Sequence, residues 1–469
     1  MKKGQSVFIF LFTFTCLLSS CKHDTEKDQW AEADRIIQNL QEPTFPDKVY
    51  KITDFGAVGD SVTMNTTAIN AAIDKCSSEG GGKVLVSNGS FLTGPIHMKS
   101  NVDLQIDSTA TLLFSTNPSD YLPLVYTRWE GIDCYNYSPL IYAEGQTNFA
   151  ITGKGTLNGQ GSTEHWWPWK SNVSGGYVKG TPSQLDANNR PLLDKYNNEQ
   201  VPVEQRQMGE GHYLRPQFIN FVHCKNFKIE DITLINSPFW VMHPLLSENI
   251  IVRNVTVNSM GPNNDGCDPE SCSNVLIENC TFNTGDDCIA LKSGRNEDGR
   301  KANAPIENVI VRNCHMKNGH GGVAIGSEIS GGVKNIFVED CRMNSPELDR
   351  AIRIKTNSKR GGVTDGIFVR NVTVGVVNIA VVSINCSYSI DTEGVGNYLP
   401  MVKNVNVSDV TSEQSTYALW MQGITGENCV QNINISNCTF SGVKEKNLVE
   451  DVKGLTLTNV KINGESVGQ

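Results

Sequence analysis

A short pattern of apolar and polar positions recurs through the second half of the chain. It is seen in KNFKIEDITLINS (225–237), ENIIVRNVTVNS (248–259), SNVLIENCTFNTG (273–285), ENVIVRNCHMKNG (307–319) and KNIFVEDCRMNS (334–345). DGIFVRNVTVG (365–375), KNVNVSDVTS (403–412), QNINISNCTF (431–440) and KGLTLTNVKING (453–464) continue it. Most units open on an asparagine. An aliphatic–any–aliphatic triplet follows, then a turn-like Asn or Asp, then a second alternating pair. With the leading asparagine as marker, Asn226, Asn249, Asn274, Asn308 and Asn335 are 23, 25, 34 and 27 residues apart. Alternation at period two means strands, and self-similarity at this period means a solenoid. The strands follow too closely for crossover helices and are not joined as two-residue hairpins. The pattern therefore predicts an all-β, right-handed parallel β-helix with coils stacked ~4.8 Å apart, and asparagines laddered along its turns.

The repeat begins less regularly at SNVDLQI (100–106) and TNFAITGKGTLNGQG (147–161). Before it, NTTAINAAIDKC (65–76) predicts a short helix capped by Asn65 or Thr66, with Ile69, Ile73 and Cys76 on one face. A solenoid needs its open end covered, so this helix reads as the N-terminal cap. One polar insertion, Ser162–His212, carries HWWPW (165–169) near its start and reads as a long structureless segment of the functional kind.

The extreme N-terminus departs from this pattern. Lys2 and Lys3 precede an apolar run too short to span a bilayer comfortably, which marks an export signal. The run ends Leu18-Ser19-Ser20-Cys21, which resembles a bacterial lipobox with Cys21 as the lipidated residue. The expected organisation is a lipoprotein signal peptide over 1–21, a tether over 22–45 and one catalytic β-helix domain over 46–469. The protein is then exported and lipid-anchored in the bacterial cell envelope, facing the periplasm or the cell surface. The net charge of −10 argues against nucleic-acid binding, and an anionic substrate must be caught by local cations. Beyond Cys16 and Cys21, 12 of the 14 cysteines remain. Several share one context (Cys280, Cys314, Cys341, Cys438), as a small apolar residue at a repeated inward position would. No paired CxxC spacing is present, and neither a metal nor a cofactor is expected.

Candidate chemistry appears when the same marker is applied to the unusual turns. Asp265, in PNNDGCDP (262–269), is 16 residues after Asn249. Asp286 and Asp287, in NTGDDCIALKSG (283–294), are 12 and 13 after Asn274, and His320, in NGHGG (318–322), is 12 after Asn308. Arg353 and Lys355 are 18 and 20 after Asn335. Each taken alone reads as well as a solvated turn, a turn histidine or an outward strand. Together they predict one column of carboxylates, imidazole and cations. Such a column suits glycoside hydrolysis, with one carboxylic acid protonating the leaving oxygen and a carboxylate about 6.5–9.5 Å away activating water. Repulsion and partial burial within Asp286–Asp287 are expected to keep one of the two protonated.

At these residues the sequence resembles glycoside hydrolase family 28, the polygalacturonases. The family's NTD, DD, GHG and RIK motifs stand here as Asn263-Asn264-Asp265, Gly285-Asp286-Asp287, Gly319-His320-Gly321 and Arg353-Ile354-Lys355, in the family's order. Asn264 replaces a threonine that bears no catalytic group. The resemblance runs from about Tyr50 to the C-terminus. It implies inverting hydrolysis of α-1,4-linked galacturonate, with Asp286 as general acid and Asp265 and Asp287 holding the water. His320 would support the acid, and Arg353 and Lys355 would grip the sugar carboxylate. Tyr388 is expected to stack on the sugar. His243 is expected either to line a subsite or to be a structural turn histidine. TRWEGID (127–133) and HWWPW look like the bacterial exo-acting members, which implies release of galacturonate from chain ends. The expected partner is pectic polysaccharide or a galacturonate oligosaccharide, with no nucleic acid, and the enzyme is expected to be a monomer. Rhamnogalacturonan or xylogalacturonan hydrolysis, a β-helix pectate lyase and a noncatalytic glycan-binding solenoid are the alternatives.

Overall fold

The computed structural model describes residues 20–468, with side chains from Gln29 onward. Residues 1–19 of the expected signal peptide, and the side chain of Cys21, lie outside this range.

The repeat units form a right-handed parallel β-helix. Each regular coil has three strand faces. The first face carries the strands at 225–230, 248–253, 273–278, 306–312 and 333–339, paired in register: Ile250 aligns with Val275, Val275 with Val309, and Val309 with Ile336. The second face carries the short strands that follow each turn, such as 256–259 and 281–284. The third carries Met242–Leu245, Ile289–Leu291, Val323–Gly326, Arg350–Lys355, Ala380–Asn385 and Tyr417–Gln422. Antiparallel pairing among the described residues is confined to the hairpin Val125–Trp129/Ile132–Asn136 and the terminal pair Val460–Ile462/Glu465–Val467.

The alternation explains the core. Phe227 and Ile229, Ile250 and Val252, Val275 and Ile277, and Val309 and Val311 all point inward and are fully buried. Cys280, Cys314, Cys341 and Cys438 occupy one inward position just after the turn residue, and all twelve cysteines from Cys76 on are free and buried. The marker asparagines adopt left-handed φ of 53–57°, which Asn tolerates better than most residues. They also bond to one another along the axis: Asn274 Nδ2 donates to Asn249 Oδ1 (3.3 Å), Asn308 to Asn274 (3.2 Å) and Asn335 to Asn308 (3.2 Å).

A 20-residue helix α1 spans Ser20–Asn39, and a 13-residue helix α2 spans Thr66–Ser78. Helix α2 is the expected cap, burying Ile69, Ala72, Ile73 and Cys76. Asn65 stands at its N-cap, but its side chain bonds Val58, Thr63 and Leu92 instead of the helix.

Helix α1 corrects the reading of residues 22–45 as a tether. Trp30, Ala33 and Ile36 are buried against Leu276, Ile310, Phe337 and Phe368, an outward apolar column on the first face. That column supplied the driving force: burial of apolar surface fixes a segment whose average composition is polar. Beyond the helix, Glu42 pairs with Lys228 and Arg253.

The insertion 162–212 is also less irregular than expected. It contains a helix, α3 (Arg190–Asn198), and single turns at Trp167–Lys170 and Val173–Gly175.

Candidate active site

The third face gathers the expected column. Asp265, Asp286 and Asp287 bring carboxylate oxygens within 4.8 Å of one another. Asp286 and Asp287 are neighbours in one turn, and Asp265 comes from the coil before it. His320 Nδ1 lies 3.0 Å from Asp286 Oδ1. Arg353 donates to Asp287 Oδ1 (3.1 Å) and Lys355 to Asp287 Oδ2 (2.7 Å). The strand Arg350–Lys355 aligns Arg353 with Ala324 and Lys355 with Gly326 on the preceding coil, so both cations stand one rung from the turn that carries His320. Glycines flank that histidine for a steric reason. A Cβ on Gly319, at φ +154°, would lie 2.6 Å from Asp286 O, and one on Gly321 would lie 2.7 Å from Asp287 Oδ1.

The charges differ from the sequence expectation. Both members of the Asp286–Asp287 pair are lowered, where one was expected to rise. Burial opposes the charge on Asp286, but the hydrogen bond and charge of His320, with Lys355 and Arg353 behind them, hold its carboxyl well below the usual range. Burial likewise opposes Asp287, and Lys355 and Arg353 outweigh it. The carboxyl that rises is Asp265, through burial and then the charge of Asp286. His320 is the counterpart of Asp286, its imidazole pushed up to about 9 by that partner.

Tyr388 reaches the site. Arg353 and Lys355 lie 5.6 and 5.3 Å from its ring centroid, and its loop is pinned by Asn357 Nδ2 donating to its carbonyl (2.9 Å). His243 does not reach it, and the subsite role is corrected to the structural one. It is 0 % exposed, with Nε2 2.9 Å from Glu270 Oε2 and Nδ1 3.2 Å from Asn220 Nδ2. Its place in the middle of Met242–Leu245, flanked by buried Met242 and Pro244 neighbours, leaves no path to the groove. Glu270 also holds Arg128 (3.0 Å), so this chain fixes the 125–136 hairpin to the solenoid. Asn264 is a buried turn residue, accepting from Ser259 Oγ and Gly261 N and donating to Phe239 O.

Several groups in the site were not anticipated. Lys292, fully enclosed, lies 3.9 Å from Asp265, 3.7 Å from Asp268 and 3.2 Å from Glu328, with its ammonium 4.6 Å from the Trp240 ring centroid. Asp268 is buried with both carboxylate oxygens lacking hydrogen-bond partners, and burial and Asp265 push its carboxyl up. Asn263 donates weakly to Asp286 (3.4 Å) while Arg215 holds its Oδ1 (2.8 Å).

Around this cluster lies a cavity of about 870 Å³. Its walls come from Glu130 of the hairpin, Trp167, Lys170 and Arg190 of the insertion, Arg295, and Glu393 of the Tyr388 loop. Ion pairs stitch these walls together: Arg190 and Arg295 with Glu130, and Arg295 and Arg360 with Glu393. Trp167 Nε1 donates to Ser237 O (2.8 Å), which ties the insertion to the coil beneath it.

The family model for glycosyl hydrolases family 28 matches residues 204–463, more than half the chain and all of the catalytic column. The chain belongs to family 28. It is therefore a glycoside hydrolase. A second model, rhamnogalacturonase A/epimerase, pectate lyase-like, matches residues 49–172. Among family 28 relatives, a probable polygalacturonase of Vitis vinifera is 30% identical over 86% of this chain and 77% of its own. An exo-poly-alpha-D-galacturonosidase of Dickeya chrysanthemi is 29% identical over 88% and 71%. The crystal structure of a hyperthermoactive exopolygalacturonase from Thermotoga maritima matches with a TM-score of 0.89 at 42% identity, covering 93% of this chain and 96% of that one.

Proposed function

We propose that the protein hydrolyses α-1,4-galacturonosidic linkages in pectic polysaccharide, releasing galacturonate from chain ends. The observation that carries this reading is the combination of one catalytic cluster with a walled cavity: three carboxylates, His320, Arg353 and Lys355 open into a space closed by the hairpin, the insertion and the Tyr388 loop. The exo-acting relatives from Dickeya and Thermotoga support it.

Asp286 and His320 carry one proton between them. In the resting pair it sits on the imidazole. As the glycosidic oxygen gathers negative charge, the proton returns from His320 Nδ1 to Asp286, and the carboxyl so formed gives it to that oxygen, leaving His320 neutral and Asp286 ionised. On the other side, Asp265 and Asp287 hold water. Asp265 Oδ1 has no partner, which leaves it free to accept from that water, and the water's proton passes into the coupled pair as oxygen attacks the anomeric carbon. Arg353 and Lys355 keep Asp287 charged, and their remaining donors, beside the Tyr388 ring, suit a sugar carboxylate.

We assign inversion, because two further carboxylates share the cluster with Asp286 and together can position a water. The short oxygen separation alone would suit a retaining pair. Proton NMR of the first product decides: β-galacturonate appears first on inversion, and α-galacturonate would refute it. A product time course on polygalacturonate tests the exo mode. Galacturonate monomer should dominate from the first points; an early ladder of oligomers would overturn it. Rhamnogalacturonan and xylogalacturonan, run in parallel, should be cut more slowly.

The same proposal includes export and a lipid anchor on Cys21, with the enzyme acting as a monomer in the cell envelope. Labelling with a fatty-acid probe should be lost in Cys21→Ala, with the protein leaving the membrane fraction.

A further inference from the structure

Outside the walled cavity, two more residues of the third face stand together. Arg350 opens the strand that carries Arg353 and Lys355. Trp420 lies two coils further toward the C-terminus, since Arg353 aligns with Ser383 and Ser383 with Trp420. At the coil spacing this is ~10 Å along the axis. The Arg350 guanidinium lies 5.4 Å from the Trp420 ring centroid. Both side chains are half-buried and neither lines the cavity.

The pairing is unusual in this molecule for what it lacks. The other surface arginines that cover an aromatic ring also hold a carboxylate: Arg300, over Tyr398, pairs with Glu297, and Arg370, over Trp30, pairs with Glu339. Arg350 makes no ion pair among the described residues. Burial and the neighbouring Arg353 both weigh against its charge, and Asp349 and Asp287 offset them only from a distance. A guanidinium over an indole, short of a counter-ion and on the same strand as the cation that meets the substrate carboxylate, is the arrangement that a second carboxylate would complete.

We propose that Arg350 and Trp420 form an additional sugar subsite, which takes a galacturonate residue beyond the two that flank the scissile bond. The guanidinium receives that residue's carboxylate, and the exposed part of the indole receives the apolar face of its ring. The subsite rests on the galacturonan reading above. It makes the enzyme sensitive to what trails outside the cavity while the cavity itself holds the terminal unit.

The test compares kcat/KM for di-, tri- and tetragalacturonate in the native enzyme, Arg350→Gln and Trp420→Ala. The native enzyme should gain with chain length. In Arg350→Gln the tetramer-to-dimer ratio should fall about tenfold, carried by KM, and Trp420→Ala should lower the same ratio. A merely structural role would reduce all substrates alike and leave the ratio as it was; that result, or a native enzyme indifferent to length, overturns the subsite. If the native enzyme cleaves none of the three, the galacturonan reading falls and the subsite with it. Circular dichroism of both variants confirms that the ratio is read on folded protein.

Discussion

One proton between His320 Nδ1 and Asp286 Oδ1 couples two groups that otherwise titrate far apart. Activity should rise with pH as the raised Asp265 ionises and fall as the shared proton leaves near pH 9. His320→Asn removes the partner that holds that proton, so the alkaline limb of kcat/KM should move to lower pH; an unmoved limb would remove His320 from this role. The stability contribution runs the same way. The folded His320 value, about 9, lies above its ordinary 6.5, so the pair stabilises the fold fully below about 6.5 and the contribution is lost as pH rises through 9. Asp286→Asn should cost at least 10²–10³ in kcat, about the worth of a general acid, with the unfolding transition retained. Most of this site was legible in the chain because the marker asparagines convert sequence offset into spatial phase. Lys292 is legible by the same means: it is 18 residues after Asn274, the offset of Arg353 from Asn335. What offset could not supply is solvation. Placing the raised carboxyl on Asp265 and not within Asp286–Asp287 required knowing that His320 reaches Asp286, and excluding His243 required knowing that Glu270 lies beneath it.

Each coil depends on its turns. Asn308 donates to Asn274, accepts from Asn335 and holds φ +57°. Asn308→Ala removes both bonds and leaves alanine in a left-handed conformation, a loss of about 2–3 kcal/mol; Asn308→Gly should lose less, since glycine tolerates that φ. Equal losses, read from chemical denaturation, would mean that the conformation contributes nothing. The regular strands were readable because alternation has a single structural meaning at this period. Helix α1 was not, because the surface that orders it belongs to four other coils: Leu276, Ile310, Phe337 and Phe368 look like exposed positions in their own strands. Trp30→Ala should therefore destabilise the fold by about 2–3 kcal/mol, and removal of residues 20–45 should expose an apolar stripe and promote association.

At the scale of the whole molecule, a net charge of −10 repels a polyanion that the groove cations attract at contact. The two effects have different ranges. The repulsion extends ~30 Å at 10 mM salt and only ~10 Å at 100 mM. Between these concentrations kcat/KM for polygalacturonate should rise, and rise more than for digalacturonate; a monotonic fall would show that contact cations dominate at all distances. The solenoid gives the molecule a further property through its twelve enclosed thiols. They are spread from Cys76 to Cys438 and all are buried; burial pushes most of them up, Cys76 and Cys438 to about 11, while a hydrogen bond with Cys386 holds Cys429 down at about 7. Burial keeps reagent from each until the element around it opens, whether coil, capping helix or hairpin. A brief pulse of alkylating reagent followed by peptide mapping would thus read, coil by coil, where the rod begins to fray, with no label added by design.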